Sequence, residues 1–333
     1  MSYQNSFDFY SIVKTDLGEK LIPKIKISPD NLSERSDWME NNLSKFLTAN
    51  LNQENYNFVI QKATILSKMK NIKYRDDARN GYKGFVKRGE HNNYIRSYDN
   101  FLNVLDLNKP NPDIASLPKY SFFIQFKFKL RKPFYSHDDE VLYIIDNPVT
   151  KEHVFKLPMM RPSGWKGNLR STFLKIDSLP VEYDTNPLIK KLFGYTDESR
   201  KSQKKGRLIF YPTYFDKIGL EIINPHDRKT KAGTKPILYE VVPEGSNGIF
   251  SILYIPFDLI GSDDEKRKNE AISDLRKIST VVNEMMTVYG FGAKTSSGFG
   301  VIENKVENCV VKINGIEFPN SKIEKLNMIM EGL

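Results

Sequence analysis

The segment Tyr289–Gly300, YGFGAKTSSGFG, gathers four glycines, one lysine and three hydroxyl side chains in twelve residues. Glycine lets backbone approach a ligand closely and adopt positive φ, and successive N–H groups can then face an anion. Gly292 and Gly298 would shape such a loop, Lys294 would supply charge, and Thr295, Ser296 and Ser297 would donate hydrogen bonds. The ligand these residue types fit is a phosphate. No GK[ST] follows a first glycine at the Walker distance, so nucleotide triphosphate hydrolysis is not indicated. The loop follows a helix and precedes a strand, an order that suits gripping a polymer backbone better than opening a phosphate-binding helix.

A second candidate is Arg161–Arg170, RPSGWKGNLR, where a Pro-Ser-Gly turn opens a helix with Ser163 expected at the N-cap. Lys166 and Arg170 are four apart and share a helical face. Orphan N–H groups and the positive dipole end add attraction for an anion at Ser163–Lys166. A third is the run RKSQKKGR over 200–207, which contributes Lys204, Lys205 and Arg207. Four scattered histidines and one cysteine, Cys309, give no metal-ligand spacing, so no structural metal is expected, and an internal disulfide is excluded.

The elements that must hold these residues begin in earnest at Tyr120. Residues 1–115 read as a mainly helical, basic extension, helix-like over Ser33–Lys70 after a short strand near Lys20–Ile27. Within it, Lys73, Arg75, Arg79, Lys83, Lys87, Arg88 and Arg96 interleave with Tyr74, Tyr82, Phe85 and Tyr94, a pattern suited to single-stranded nucleic acid. Pro110, Pro112 and Pro118 mark a linker. Phe122, Ile124, Phe126, Phe128 and Leu130 then alternate with polar residues, predicting a strand with an apolar underside and a basic outer face. A helix over Ser163–Ile176 follows, then strands at Gly206–Tyr211, Lys235–Val242 and Gly248–Ile255. A long amphipathic helix spans Asp264–Tyr289, and strands at Phe299–Glu303 and Cys309–Ile313 close the order. The expected class is α+β, a ferredoxin-like (RRM-like) split βαβ core at 120–305 with a C-terminal strand and tail at 306–333. Lys and Arg total 50 against 41 Asp and Glu, a net charge of +9 and pI near 9.2, which favours a polyanionic partner. The polar opening residues and the lack of a long apolar run predict a cytoplasmic protein without membrane contact.

Four of these stretches resemble motifs of the CRISPR-associated RAMP superfamily, in the family's order. RPSGWKGNLRSTF is similar to its IPGSSLKGALR-type motif, and GFGAKTSSGFG to its C-terminal glycine-rich loop. LFGYTDESRKSQKKGRLIFYPTYF resembles its LFG…GRL segment, and IDNPV at 145–149 the IDSPV element of type III (Csm/Cmr) backbone subunits. NPHDRKT at 224–230 resembles the segment where a β-rich thumb projects, placing His226 and Arg228 near RNA. The resemblance, which does not reach residues 1–115, implies a subunit that binds guide RNA for pairing with target RNA beside other CRISPR effector subunits. It also implies target cleavage through Asp146 with Mg2+ or Mn2+, with Asp138, Asp139, Glu140 and His137 nearby in sequence. Two alternatives stand beside it: a non-catalytic terminal or capping subunit, since GAKTSSGFG is closer in spelling to the terminal type, and a stand-alone guide-RNA processing endoribonuclease.

Overall fold

The computed structural model describes residues 79–80, 82–84, 86–87, 89–138, 143–176, 186–197, 202–224, 236–317, 324, 326 and 328. The expectations for residues 1–78, and those for Asp139, Glu140, His226 and Arg228, lie outside that set. Residues 79–80, 82–84 and 86–87 are helical, and the helices α1 (Glu90–Ser97) and α2 (Asp99–Val104) follow. The interleaved basic run is therefore helical where it is described. Its aromatic members Tyr82 and Tyr94 are buried against the core.

Alternation in the sequence becomes alternation in burial along β1 (Phe122–Lys129). Phe122, Phe126 and Phe128 are buried, whereas Gln125 and Lys127 are partly exposed and Lys129 is exposed. The chain continues through β2 (Met159–Met160), α3 (Pro162–Ile176), α4 (Pro187–Phe193), β3 (Gly194–Asp197), β4 (Ser202–Lys205), β5 (Leu208–Phe210) and β6 (Thr213–Tyr214). Then come β7 (Gly219–Ile223), β8 (Ile237–Val241), β9 (Asn247–Tyr254), α5 (Asp264–Glu284) and β10 (Glu307–Ile313). Four strands form an antiparallel sheet in the order β10-β1-β9-β5, with Phe122 opposite Tyr254 and Phe126 opposite Phe250. This is an α+β architecture. Trp165, Leu169 and Phe173 of α3 and Leu275, Ile278 and Val282 of α5 join the β1 phenylalanines in one core on one face.

Several expectations need correction. β8 pairs with β7 as a separate hairpin and not with the main sheet. Residues 299–303 make a single bridge, Leu130 to Ile302, because the flanking glycines turn the chain instead of extending it. The expected C-terminal strand is present as β10, which pairs antiparallel with β1 and shifts register between Gln125 and Lys127. The outer face of the sheet is neither bare nor basic. Ile114, from the segment read as a linker, packs with Phe123, Leu253 and Ile255, and the Gln125 amide donates to the Pro110 carbonyl at 3.0 Å. On that face Lys127 pairs with Glu307 at 3.0 Å and Lys129 with Glu303 at 3.2 Å.

Candidate nucleic-acid interface

Helix α3 starts at Pro162, whose missing N–H costs nothing at a first helical position. The Trp165 N–H already donates to the Arg161 carbonyl at 3.1 Å, so Ser163 lies inside the first turn and is not the N-cap. The Trp165 ring fixes the helix to the sheet. It is fully buried, with Phe291 at 4.6 Å and Phe250 at 5.0 Å between ring centroids, and its Nε1–H donates to Thr213 Oγ1 at 3.0 Å. Three residues on, Asn168 Oδ1 accepts from the Gly292 N–H at 3.1 Å, while Asn168 Nδ2 donates to the Gly164 carbonyl at 2.8 Å. One amide side chain thus joins the start of α3 to the glycine loop, 124 residues away in sequence.

The loop itself leaves α5 through a π-helical turn, Met285–Tyr289, ended by Gly290 at φ 76°. Its glycines serve mainly to pack backbone against backbone. A Cβ on Gly300 would stand 1.9 Å from the Phe291 carbonyl oxygen, and one on Gly292 would stand 2.5 Å from that of Tyr135. The amides are correspondingly occupied: Ala293 N–H donates to Tyr135 O at 2.7 Å, Gly300 N–H to Pro133 O at 2.8 Å and Gly298 N–H to Thr295 O at 2.9 Å. The expected row of outward N–H groups is therefore largely spent inside the loop. Side chains remain for a ligand. Ser296 and Ser297 are exposed, and Lys294 lies with Nζ 4.5 Å above the Tyr239 ring centroid, held by the ring's negative face.

Lys166 and Arg170 share a flank, but not the one that touches the loop. Lys166 is two residues from Asn168, which sets it about 160° around the helix. At the start of α3, Ser163 and Lys166 are exposed. Partial desolvation, and then Arg170 one turn away, lower the Lys166 pKa, a field that an anion there would relieve.

The loop carrying Asp146 docks beside this place. Glu240 N–H donates to Asn147 O at 3.0 Å and Asn147 Nδ2 to Leu238 O at 3.3 Å, bracketing Tyr239. Below it, Glu240 is fully buried and accepts from Tyr82, Tyr143, Lys151 and the Val149 N–H. Sequence reasoning missed this network, although a lone acid in the apolar run LYEVV was a readable signal. Asp146 is 62 % exposed, and both its oxygens accept from Nη2 of Arg79, at 2.8 and 2.9 Å. Asp138 is buried and tied to the Lys151 N–H at 3.0 Å and Arg161 at 3.4 Å. Among the described residues no three of His, Cys, Asp or Glu gather as metal ligands. A carboxylate already bridged by a guanidinium does not fit a resident Mg2+ or Mn2+.

Arg207 requires the plainest correction. Its side chain is 4 % exposed, and its guanidinium donates to Asp258 at 2.7 Å, Glu270 at 2.7 Å and Asp274 at 3.0 Å. It holds β5 to α5 and does not reach a surface phosphate. Lys204 pairs with Asp258 at 3.4 Å, and Lys205 lies 5.7 Å from the Phe257 ring centroid, both at the opposite end of α5 from the glycine loop. From Glu270 to Glu284 alone the helix rises about 20 Å, so these lysines are not neighbours of Lys294.

The sequence profile of the RAMP superfamily matches residues 127–303, more than half of the chain, and spans both α3 and the glycine loop. The chain belongs to the RAMP superfamily. Among solved structures, this RAMP protein is similar to a chain in the type III-B Cmr-beta bound to cognate target RNA. The two are 15 % identical, with 91 % of this chain and 96 % of that one covered and a TM-score of 0.43. A chain of Cmr-beta in the apo state is 12 % identical, with 56 % and 97 % covered and a TM-score of 0.37. At these scores neither likeness assigns a role to a residue of the RAMP protein. No curated protein matches it. Among the described residues no helix is long and apolar enough to cross a membrane.

Proposed function

We propose that this RAMP protein is an RNA-backbone-binding subunit of a type III CRISPR ribonucleoprotein, holding guide RNA for pairing with target RNA. The observation that carries the reading is the Asn168–Gly292 hydrogen bond, which brings the two family motifs to one place. We read the four-stranded sheet with α3 and α5 as the ferredoxin-like split βαβ core, with the β7–β8 hairpin as the base of the thumb. The strand crosses the N-terminal end of α3, with Lys294, Thr295, Ser296 and Ser297 on one side and Ser163, Lys166 and Arg170 on the other. These groups meet phosphates and sugars, so they fix position without reading bases. Sibling effector subunits complete the channel, in a cytoplasmic particle.

A second reading, target cleavage at Asp146, is favoured by the exposure of that carboxylate on a loop docked beside Tyr239 and Lys294. It requires Arg79 to release the carboxylate. Purification from the native host tests the main reading: short RNAs and sibling subunits should co-elute, and a bare monomer free of RNA would contradict it. In that particle Asp146→Ala separates the readings, because cleavage is lost only if Asp146 is catalytic.

A further inference from the structure

We propose that the helix preceding α1 lengthens the RNA track: Arg79, Lys83 and Lys87 form a second phosphate-binding stripe that takes the same single strand beyond the glycine loop. The inference rests on the RNA-binding reading and concerns a segment outside the residues matched by the family profile.

All three residues are helical and spaced by four, so they share one face and advance about 6 Å per step. On the adjoining flank, about 20° to 60° around from Arg79, Val86 is 6 % exposed and Tyr82 fully buried, while Arg79 and Lys83 are half-buried and Lys87 is exposed. The stripe therefore borders the core contact, with Lys87 outermost. Its first member is fixed in place: Arg79 uses a single nitrogen, Nη2, for both oxygens of Asp146, which leaves Nη1 for another acceptor. Among the described residues Lys83 meets the Asn80 amide oxygen, at 3.3 Å, and neither Lys83 nor Lys87 pairs with a carboxylate. On the sheet's outer face, by contrast, Lys127 and Lys129 each have an acid partner.

Continuity with the glycine loop identifies the ligand. Asp146 is followed by Asn147, whose bonds to Leu238 and Glu240 bracket Tyr239, and Tyr239 carries Lys294. Cations thus run from Lys294 across this β8 contact to Arg79, Lys83 and Lys87. Asp146 balances Arg79 within this line, but Lys83 and Lys87 beyond it have no acid partner among the described residues, an arrangement that suits an extended polyanionic strand.

The test uses the full-length protein with fluorescent oligouridines of about 6 and about 20 nucleotides, lengths that fill one single-strand site or more than one. Lys83→Ala/Lys87→Ala should weaken the long strand on the order of tenfold. It should also reduce the slope of log affinity against log salt by about 1.4, two phosphates at about 0.7 each. Binding of the short strand should be unchanged, and the thermal melt should match that of the parent because neither side chain is buried. Unchanged affinity and slope for the long strand overturn the proposal, as does an equal loss on both lengths. If Lys166→Ala/Lys294→Ala still weakens both lengths in that case, the RNA-binding reading survives without the stripe. If neither double variant affects either strand, both fail.

Discussion

The two ends of the core use the same cationic side chains for opposite purposes. At the end where α5 begins, cations are matched by acids: Arg207 by Asp258, Glu270 and Asp274, Lys191 by Glu270 and Asp274, and Lys204 by Asp258. At the glycine-loop end, Lys166, Lys294, Lys83 and Lys87 make no ion pair among the described residues. The first end is a structural bolt. The second leaves these four lysines without an acid partner, as the proposed RNA site requires. Density of lysine and arginine in the sequence points the wrong way, since the run at 200–207 holds five cations and the glycine loop one. The placement of carboxylates separates the two, because a cation committed to a buried acid has little field left to offer a phosphate.

The largest expected effect breaks the comparison at the bolted end. Arg207→Ala removes one of the donors to Asp274, which is 3 % exposed and keeps Lys191 at 2.6 Å and the Tyr254 hydroxyl at 2.7 Å, and should cost about 1.5–3 kcal/mol in urea unfolding. The salt slope of RNA binding by the folded variant should stay unchanged. A loss below about 1 kcal/mol would show that the network is not a bolt.

Acid sharpens the contrast. Burial, and then the charge of Lys151, hold the His91 pKa well below 6.5, so His91 is neutral in the fold and sits against Tyr82 beneath the Asp146 loop. Between that lowered value and 6.5 the unfolded chain binds more protons, so stability rises with pH and falls as the solution is acidified below 6.5. Asp258 behaves differently: burial alone would raise its pKa, but Arg207 pulls it down to about 2. Its contribution is present above 3.8 and is lost only as pH falls through about 2. Acidification from pH 7 should therefore loosen the glycine-loop end first, which hydrogen exchange of α1 against α5 would reveal. His91→Gln should flatten the fall in melting temperature below pH 6.5, and an unaltered pH profile would remove His91 from the explanation.

Much of the frame was legible because period and burial coincide. The alternation of β1 and the apolar stripe of α5 each gave the element and its buried face. What local pattern does not carry is partner choice. Ile237–Val241 looks like any strand, and nothing within it says that it joins β7 instead of the main sheet. Pro110 and Pro112 suggested a linker, yet Ile114 between that pair and Pro118 is what covers Phe123. At the site, both motifs were readable, but their phase was not: Asn168 faces the loop while Lys166 lies on the far flank. Arg207 and Lys204 stand three apart in one charged run, and only the carboxylates of α5 reveal which is buried. The Arg79–Asp146 pair spans 67 residues and left no local trace.

The salt dependence of RNA affinity in two double variants tests the contrast most directly. Lys166→Ala/Lys294→Ala should lower the slope of log affinity against log salt by about 1.4, whereas Lys204→Ala/Lys205→Ala should leave it as in the parent. Equal losses from both pairs, or a loss confined to Lys204 and Lys205, would place the strand at the bolted end and contradict the account.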